Sequence, residues 1–179
     1  MASLVVGALA CQSFTRCWLE LYFSKIFFLL WCLPEADSLI SISSNMFYRT
    51  KLAFFVEGVK SPVRKKLLEV WRNDTEIFAH FGRLKTPYAD ELLGSKFCLQ
   101  VKGFEVNTAR FADSLYYGCV PVIIANYYDL PFADILNWRS FSVVVVTLDI
   151  PLIKKILKAI SPDEYLVLQN NVMKVRKHF

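Results

Sequence analysis

Between Lys51 and Ile160, short runs of β-branched and aromatic residues alternate with stretches of helical period, and Gly, Pro, Ser or Asn punctuates each step. Such alternation dictates strand–helix–strand units, because a helix returning over a sheet buries one face while carrying the chain to the next parallel strand. Leu52 to Val56 is a Phe-rich apolar run and reads as a buried strand, followed by a turn at Gly58. Ser61-Pro62 opens a helix, with Ser as N-cap and Pro at the first helical position. Val63, Leu67, Val70 and Trp71 share one face of it, Arg64, Lys65 and Lys66 fall largely off that face, and Asn73-Asp74 ends it. Further strands are predicted over Ile77 to Phe81, Lys96 to Val101, Val120 to Ile124 and Ser142 to Thr147. Pro121 places the first residues of its strand at a sheet end.

Helices are predicted from Thr86-Pro87 through Leu93, with Gly94 as the C-terminal cap, and from Asn107 or Thr108 to Tyr117, closed by Gly118. Another begins at Pro151, with Leu152, Ile153, Ile156, Leu157 and Ile160 inward, and Ser161-Pro162 caps the last. The strands are apolar throughout rather than alternating, as parallel strands covered on both faces are. The expected fold is an α/β domain with a mostly parallel sheet and flanking helices.

A chain of 179 residues suffices for one domain, or a domain with an appendage. Hydrophobic residues make up 55%, which excludes disorder for most of the chain and leaves apolar surface for a membrane, a partner or a further domain to cover. Composition shifts near residue 45, dividing a hydrophobic segment, 1–47, from the α/β region, 48–179. Within the first segment, the blocks Ser3 to Ala10 and Ile26 to Leu33 both fall short of the roughly 18 to 20 apolar residues a spanning helix wants. Cys17 to Leu33 reaches that length only with Glu20 and Lys25 inside it. A signal anchor and a cleaved signal peptide both stay open.

The net charge of +5 is carried in helix-like segments (Arg64-Lys65-Lys66, Lys154-Lys155-Lys158, Lys174 to Lys177), the pattern of solvated helix faces. No nucleic-acid motif accompanies it. Five cysteines, at 11, 17, 32, 98 and 119, form no C-x-x-C pair, and His80 and His178 lie far apart, so no zinc spacing is present. Cys98 and Cys119 read as buried small hydrophobes, with a single bridge in a secretory compartment left open.

In an open α/β sheet, ligands lie beyond the C-terminal ends of the strands. Two loops there carry chemistry, Lys102 to Thr108 and Ala125 to Phe132. The first offers Gly103 for close backbone approach and Glu105 as an acceptor for hydroxyls. Asn107 and Thr108 stand at a helix start whose free amides favour phosphate, and Arg110 follows just inside the helix. The plain alternative is a capped loop with Arg110 paired to Glu105 or Asp113. Neither of the standard glycine-rich phosphate loops occurs. Tyr116, Tyr117, Tyr127 and Tyr128 suit base stacking or packing equally. Asp113 reads as a helix charge, Trp138 and Phe141 as core anchors, His80 as a satisfied strand-end residue, and His178 as solvated.

The ordered strings Ser95-Lys96-Phe97-Cys98-Leu99, Gly103-Phe104-Glu105-Val106-Asn107-Thr108-Ala109-Arg110, Asp113-Ser114 and Gly118-Cys119-Val120-Pro121-Val122-Ile123 carry more. With Leu130-Pro131-Phe132, Ile135-Leu136, Trp138 and Phe141-Ser142, and upstream Val63-Arg64-Lys65 and Trp71-Arg72-Asn73-Asp74, the chain closely resembles the plant-type exostosin-like glycosyltransferases of family 47, over roughly residues 48 to 179.

That resemblance implies the C-terminal, nucleotide-sugar-binding half of a GT-B fold, built on a Rossmann-like sheet. It implies a glycosyltransferase that moves a sugar from a nucleotide sugar, commonly a UDP-sugar, to a polysaccharide or glycoprotein glycan acceptor with inversion. No bound metal or other cofactor is implied. On this chain Arg110, with amides of Asn107 and Thr108, would stabilise the diphosphate leaving group. Glu105 would bind ribose or donor sugar beside Gly103, and Ser95 with Lys96 would border the nucleotide. A Golgi membrane location with a single type II anchor, cell wall polysaccharide synthesis and association with a related glycosyltransferase follow by the same route. The catalytic base is expected in an N-terminal domain that residues 1–47 do not match, so the chain reads as truncated. A non-catalytic binding module and an unrelated membrane-tethered interaction protein are the alternatives.

Overall fold

The structure is a computed structural model that describes residues 49–58, 61–101, 109–126, 130 and 132–178. The described part of residues 36–179 forms a parallel sheet with helices on both faces. Its strands are β1 (Lys51–Val56), β2 (Ile77–His80), β3 (Ser95–Val101), β4 (Val120–Ile124) and β5 (Val143–Val145). The five lie in the order β2-β1-β3-β4-β5, every neighbouring pair parallel. This is the mostly parallel, Rossmann-like arrangement expected, of the kind that makes up each half of a GT-B fold.

The helices are α1 (Pro62–Trp71), α2 (Tyr88–Leu93), α3 (Ala109–Tyr116), α4 (Ile153–Ala159) and α5 (Pro162–Val175). Ser61 caps α1 by accepting from the Arg64 amide, with Pro62 beginning the helix. Ser161 caps α5 in a reciprocal box with Glu164. Gly118 closes α3 with φ +65, a backbone state that disfavours any side chain, and a Cβ there would meet Met173 Sδ at 3.0 Å.

Alternate residues of the strands feed two cores. One face of the sheet carries Ala53, Phe55, Phe97, Leu99 and Val101 into a large cluster with Leu67, Trp71, Leu115, Ile153, Leu157 and Val172. The other holds Phe54, Cys98 and Cys119 against Leu92 of α2. Trp138 and Phe141 are buried in the large core, as expected of anchors.

Three expectations about this framework need correcting. Arg64 is not off the buried face of α1, since only 2% of it is exposed. The segment from Pro151 does not start an α-helix; Thr147–Leu152 is a 3₁₀ turn with Pro151 inside it, and α4 begins at Ile153, leaving Leu152 half-exposed. Cys98 and Cys119 are not free hydrophobes but a disulfide with Cα atoms 5.8 Å apart. The register explains it, because Cys98 pairs with Pro121 and so Cys119 arrives beside it as the chain enters β4.

Arg49, just ahead of β1, locks the lower edge of the sheet. Its Nη1 donates to the carbonyls of Leu92 (3.0 Å) and Ser95 (2.5 Å), and its Nη2 to that of Tyr117 (2.7 Å). Arg49 to methionine is expected to destabilise the fold by on the order of 3 kcal/mol, because buried carbonyls then lose their donors. A urea-unfolding midpoint indistinguishable from the wild type would contradict this.

Candidate functional site

The strand order reverses between β1 and β3. The chain leaves β1 towards β2 on one side and leaves β3 towards β4 on the other. This reversal marks a crevice at the C-terminal ends of the strands, where ligands of such sheets bind. Four described residues meet there: Glu57, directly after β1; Val101, the end of β3; Arg64, in α1; and Arg110, in the first turn of α3.

Their contacts form one charged cluster. Arg64 Nη2 lies 2.6 Å from Glu57 Oε2 and donates to the Val101 carbonyl at 3.3 Å. Arg110 Nη2 donates to Glu57 Oε1, so one carboxylate is shared by two guanidinium groups. Gln100 Nε2 donates to the Arg110 carbonyl at 3.2 Å and steadies the start of α3. Arg110 Nη1, Arg64 Nε, Gln100 Oε1 and Glu57 Oε2 are buried and make no hydrogen bond among the described residues, so the Arg64–Glu57 contact is an ion pair without hydrogen-bond geometry.

Burial lowers the affinity of both arginines for their protons. Arg110 is pulled down to about 10, chiefly by desolvation, with Asp113 opposing. Arg64 is lowered by burial alone. Arg110 remains a cation at neutral pH, since about 10 is well above 7. Asp113 is pushed up by burial and held back by Arg110. A half-buried cation with a buried, unsatisfied N–H, set beside the first turn of a helix, is chemistry suited to an anion.

Among the described residues no three His, Cys, Asp or Glu side chains cluster to hold a metal ion. None of the described helices is long and apolar enough to cross a membrane, and residues 1–47, where an anchor is expected, lie outside the described part.

The Exostosin GT47 domain matches residues 36–160, a span that includes the whole crevice. The chain belongs to the exostosin GT47 family. It is 50% identical over 133 residues to "Probable glycosyltransferase At5g03795" of Arabidopsis thaliana, covering 73% of this chain and 26% of that protein. It is 39% identical over 150 residues to "Probable glycosyltransferase At5g25310" of the same plant, covering 81% of this chain and 31% of that one. With "Probable beta-1,4-xylosyltransferase IRX10L", also of Arabidopsis thaliana, it shares 34% identity over 96 residues, covering 52% and 23% of the two chains. The chain thus spans 26% and 31% of the length of the first two relatives.

Within this exostosin GT47 chain the residues singled out from sequence separate into three groups. Arg110 stands in the crevice. Gly103, Glu105, Asn107 and Thr108 lie outside the described residues, in the segment joining β3 to α3, as do Tyr127 and Tyr128. Ser95 and Lys96 begin β3, at the opposite edge of the sheet, about 20 Å of strand away from its end. Ser95 is fully buried and its Oγ donates to the Glu91 carbonyl at 2.8 Å, while Lys96 Nζ sits 5.9 Å from the Tyr165 ring centroid. The structure therefore does not bring Ser95 and Lys96 together with Arg110.

That lower edge holds a cleft of about 390 Å³ between the starts of β1 and β3 and the α4–α5 junction, lined by Leu52, Lys96, Leu157 and Tyr165 among others. Two of its charges, Lys158 and Glu76, are paired with each other at 2.7 Å. It sits at the N-terminal ends of the strands, away from the crevice, and its size alone does not outweigh the arginine at the other end with its buried, unsatisfied Nη1.

Sequence reasoning missed Glu57 and the burial of Arg64. The signal available was position: Glu57 is the first charged residue after a buried strand. Its importance comes only from strand order, which places it beside the end of β3.

Proposed function

We propose that the crevice binds the diphosphate of a nucleotide sugar, UDP-linked, and that this chain is the donor-binding half of an inverting glycosyltransferase. The observation that carries this reading is Arg110, set at the β1/β3 reversal with Nη1 buried and unpartnered. Arg110 would meet a phosphate oxygen with that free arm, and the amides ahead of α3, at Asn107 and Thr108, would meet others. As the acceptor hydroxyl attacks the anomeric carbon from the face opposite the diphosphate, the glycosidic bond to phosphate breaks and negative charge grows on the leaving UDP. Donors fixed in place against that charge speed the step. Glu105 beside Gly103 is assigned to the ribose or the donor sugar.

The base that takes the acceptor proton is assigned to a facing domain. Of the carboxylates described here, Glu57 is engaged by two arginines and Asp113 lies beside Arg110. The acceptor is proposed to be a polysaccharide or glycoprotein glycan, with the similarity to a protein named as a xylosyltransferase in support. The Cys98–Cys119 bridge supports a place on the secretory route, consistent with the Golgi, because such bonds persist in oxidising compartments. Association with a related glycosyltransferase belongs to the same reading.

Thermal unfolding with UDP, GDP, CDP and uridine tests the binding step. UDP at a hundred times its Kd is expected to stabilise the fold by about 2.7 kcal/mol. No stabilisation by any of the diphosphates would contradict the proposal. Incubation with a panel of UDP-sugars and glycan acceptors then separates a transferring protein from one that only binds.

A further inference from the structure

Glu57 has no role in the reading so far, yet it occupies the strongest position in the crevice. Its Oε1 takes Arg110 Nη2, which leaves Arg110 a single free arm, Nη1. A diphosphate cannot take Arg110 through both arms while that contact lasts. Arg110 does not need Glu57 to hold its backbone in place, because Gln100 already grips the Arg110 carbonyl. Nor would Glu57 lose its counter-ion on leaving Arg110, since Arg64 Nη2 stays 2.6 Å from Oε2 as an ion pair. Arg64 in turn keeps its contact with the Val101 carbonyl.

From this geometry we infer that Glu57 is a tethered competitor for the donor's diphosphate: it holds Arg110 in the empty crevice and passes to Arg64 alone when the diphosphate arrives. The inference rests on the donor-site reading above and adds to it a device for selectivity. An anion must outcompete a carboxylate that is already in place, so a diphosphate with several oxygens succeeds where a singly charged anion fails. With Glu57 present, part of the positive charge of Arg64 and Arg110 is cancelled before any ligand enters. No covalent step is involved.

The test is a calorimetric titration of the full chain with UDP, alongside uridine measured by competition. Glu57→Gln keeps an acceptor oxygen and removes the charge. It is expected to bind UDP about tenfold more tightly and uridine unchanged, because uridine has no phosphate to gain from Arg110. A purely structural role for Glu57 would move both ligands together. UDP binding equal to or weaker than wild type, or a matching gain for uridine, overturns the inference.

Arg64 is buried, so Glu57→Gln leaves a cation without its counter-ion and risks the fold. The double change Glu57→Gln with Arg64→Gln removes the buried charge and its partner together and leaves the formal charge of the crevice unaltered. It is still expected to bind UDP more tightly, because Arg110 is freed, and a loss of affinity in a folded double variant overturns the inference. If wild type binds UDP and Arg110→Ala does not, but neither Gln variant gains, the competitor role alone falls. If no form of the chain binds UDP, the donor-site reading falls and the competitor role with it.

Discussion

Arg110→Ala is expected to weaken UDP binding about a hundredfold, while the fold loses little stability. The affinity loss follows from what the side chain does in the crevice. It supplies a charged donor with one arm unpartnered, next to the start of α3, and a charge-assisted contact to phosphate in such a place is worth a few kcal/mol. The fold is spared because Glu57 keeps Arg64 as its partner and α3 keeps its packing through Phe111 and Leu115. Calorimetry for binding and urea unfolding for stability, on the same preparations, check both halves. An alanine variant that binds UDP within threefold of wild type would remove Arg110 from the site.

Breaking the Cys98–Cys119 bridge is the other large effect. The two sulfurs join the middle of β3 to the residue before β4, with a sequence separation of 21, and the loop they close carries the whole of α3 with Arg110. A cross-link closing a loop of that size contributes about 3 kcal/mol, by restricting the unfolded chain. The double change Cys98→Ser with Cys119→Ser is therefore expected to lower the melting temperature by on the order of 10 °C. Dithiothreitol should do the same to the wild type and nothing further to the double serine variant. Identical melting of the two proteins under oxidising conditions would show that the bridge contributes nothing. Both cysteines are buried against Phe54 and Leu92, so part of any loss reflects packing, and the comparison with reductant isolates the covalent part.

Much of this fold was legible in the sequence, because its signals are local. The runs at Leu52 to Val56 and Val120 to Ile124, and the Ser-Pro pairs at 61–62 and 161–162, each announce an element within a few residues, and each lies where expected. What stayed hidden depends on how distant elements meet. Helical periodicity put Arg64 with its lysine neighbours on the outer side of α1. Yet that helix starts over the crevice between β1 and β3, where Glu57 and the Val101 carbonyl enclose the guanidinium. Ser95 and Lys96 are close to Arg110 in sequence but separated from it by the length of β3. The disulfide needed the register of β3 against β4, which no spacing of cysteines states.

The candidate site was legible only in part. Arg110 stood out as a cation just inside a helix after a strand. The sequence offers Glu105 or Asp113, its neighbours along the chain, as partners only in the alternative of a plain capped loop. The described partner is Glu57, some fifty residues earlier, brought there by the pairing of β1 with β3.

The nucleotide is proposed to lie at the C-terminal ends of β1 and β3. Backbone amide NMR of the ¹⁵N-labelled chain titrated with UDP checks this position residue by residue. The largest shifts are expected on Glu57, Arg64, Val101 and the 102–113 segment, while Thr50, Leu52, Lys96 and Tyr165 stay still. Shifts centred instead on those last four residues, around the lower cleft, would place the ligand at the wrong end of the sheet and contradict it.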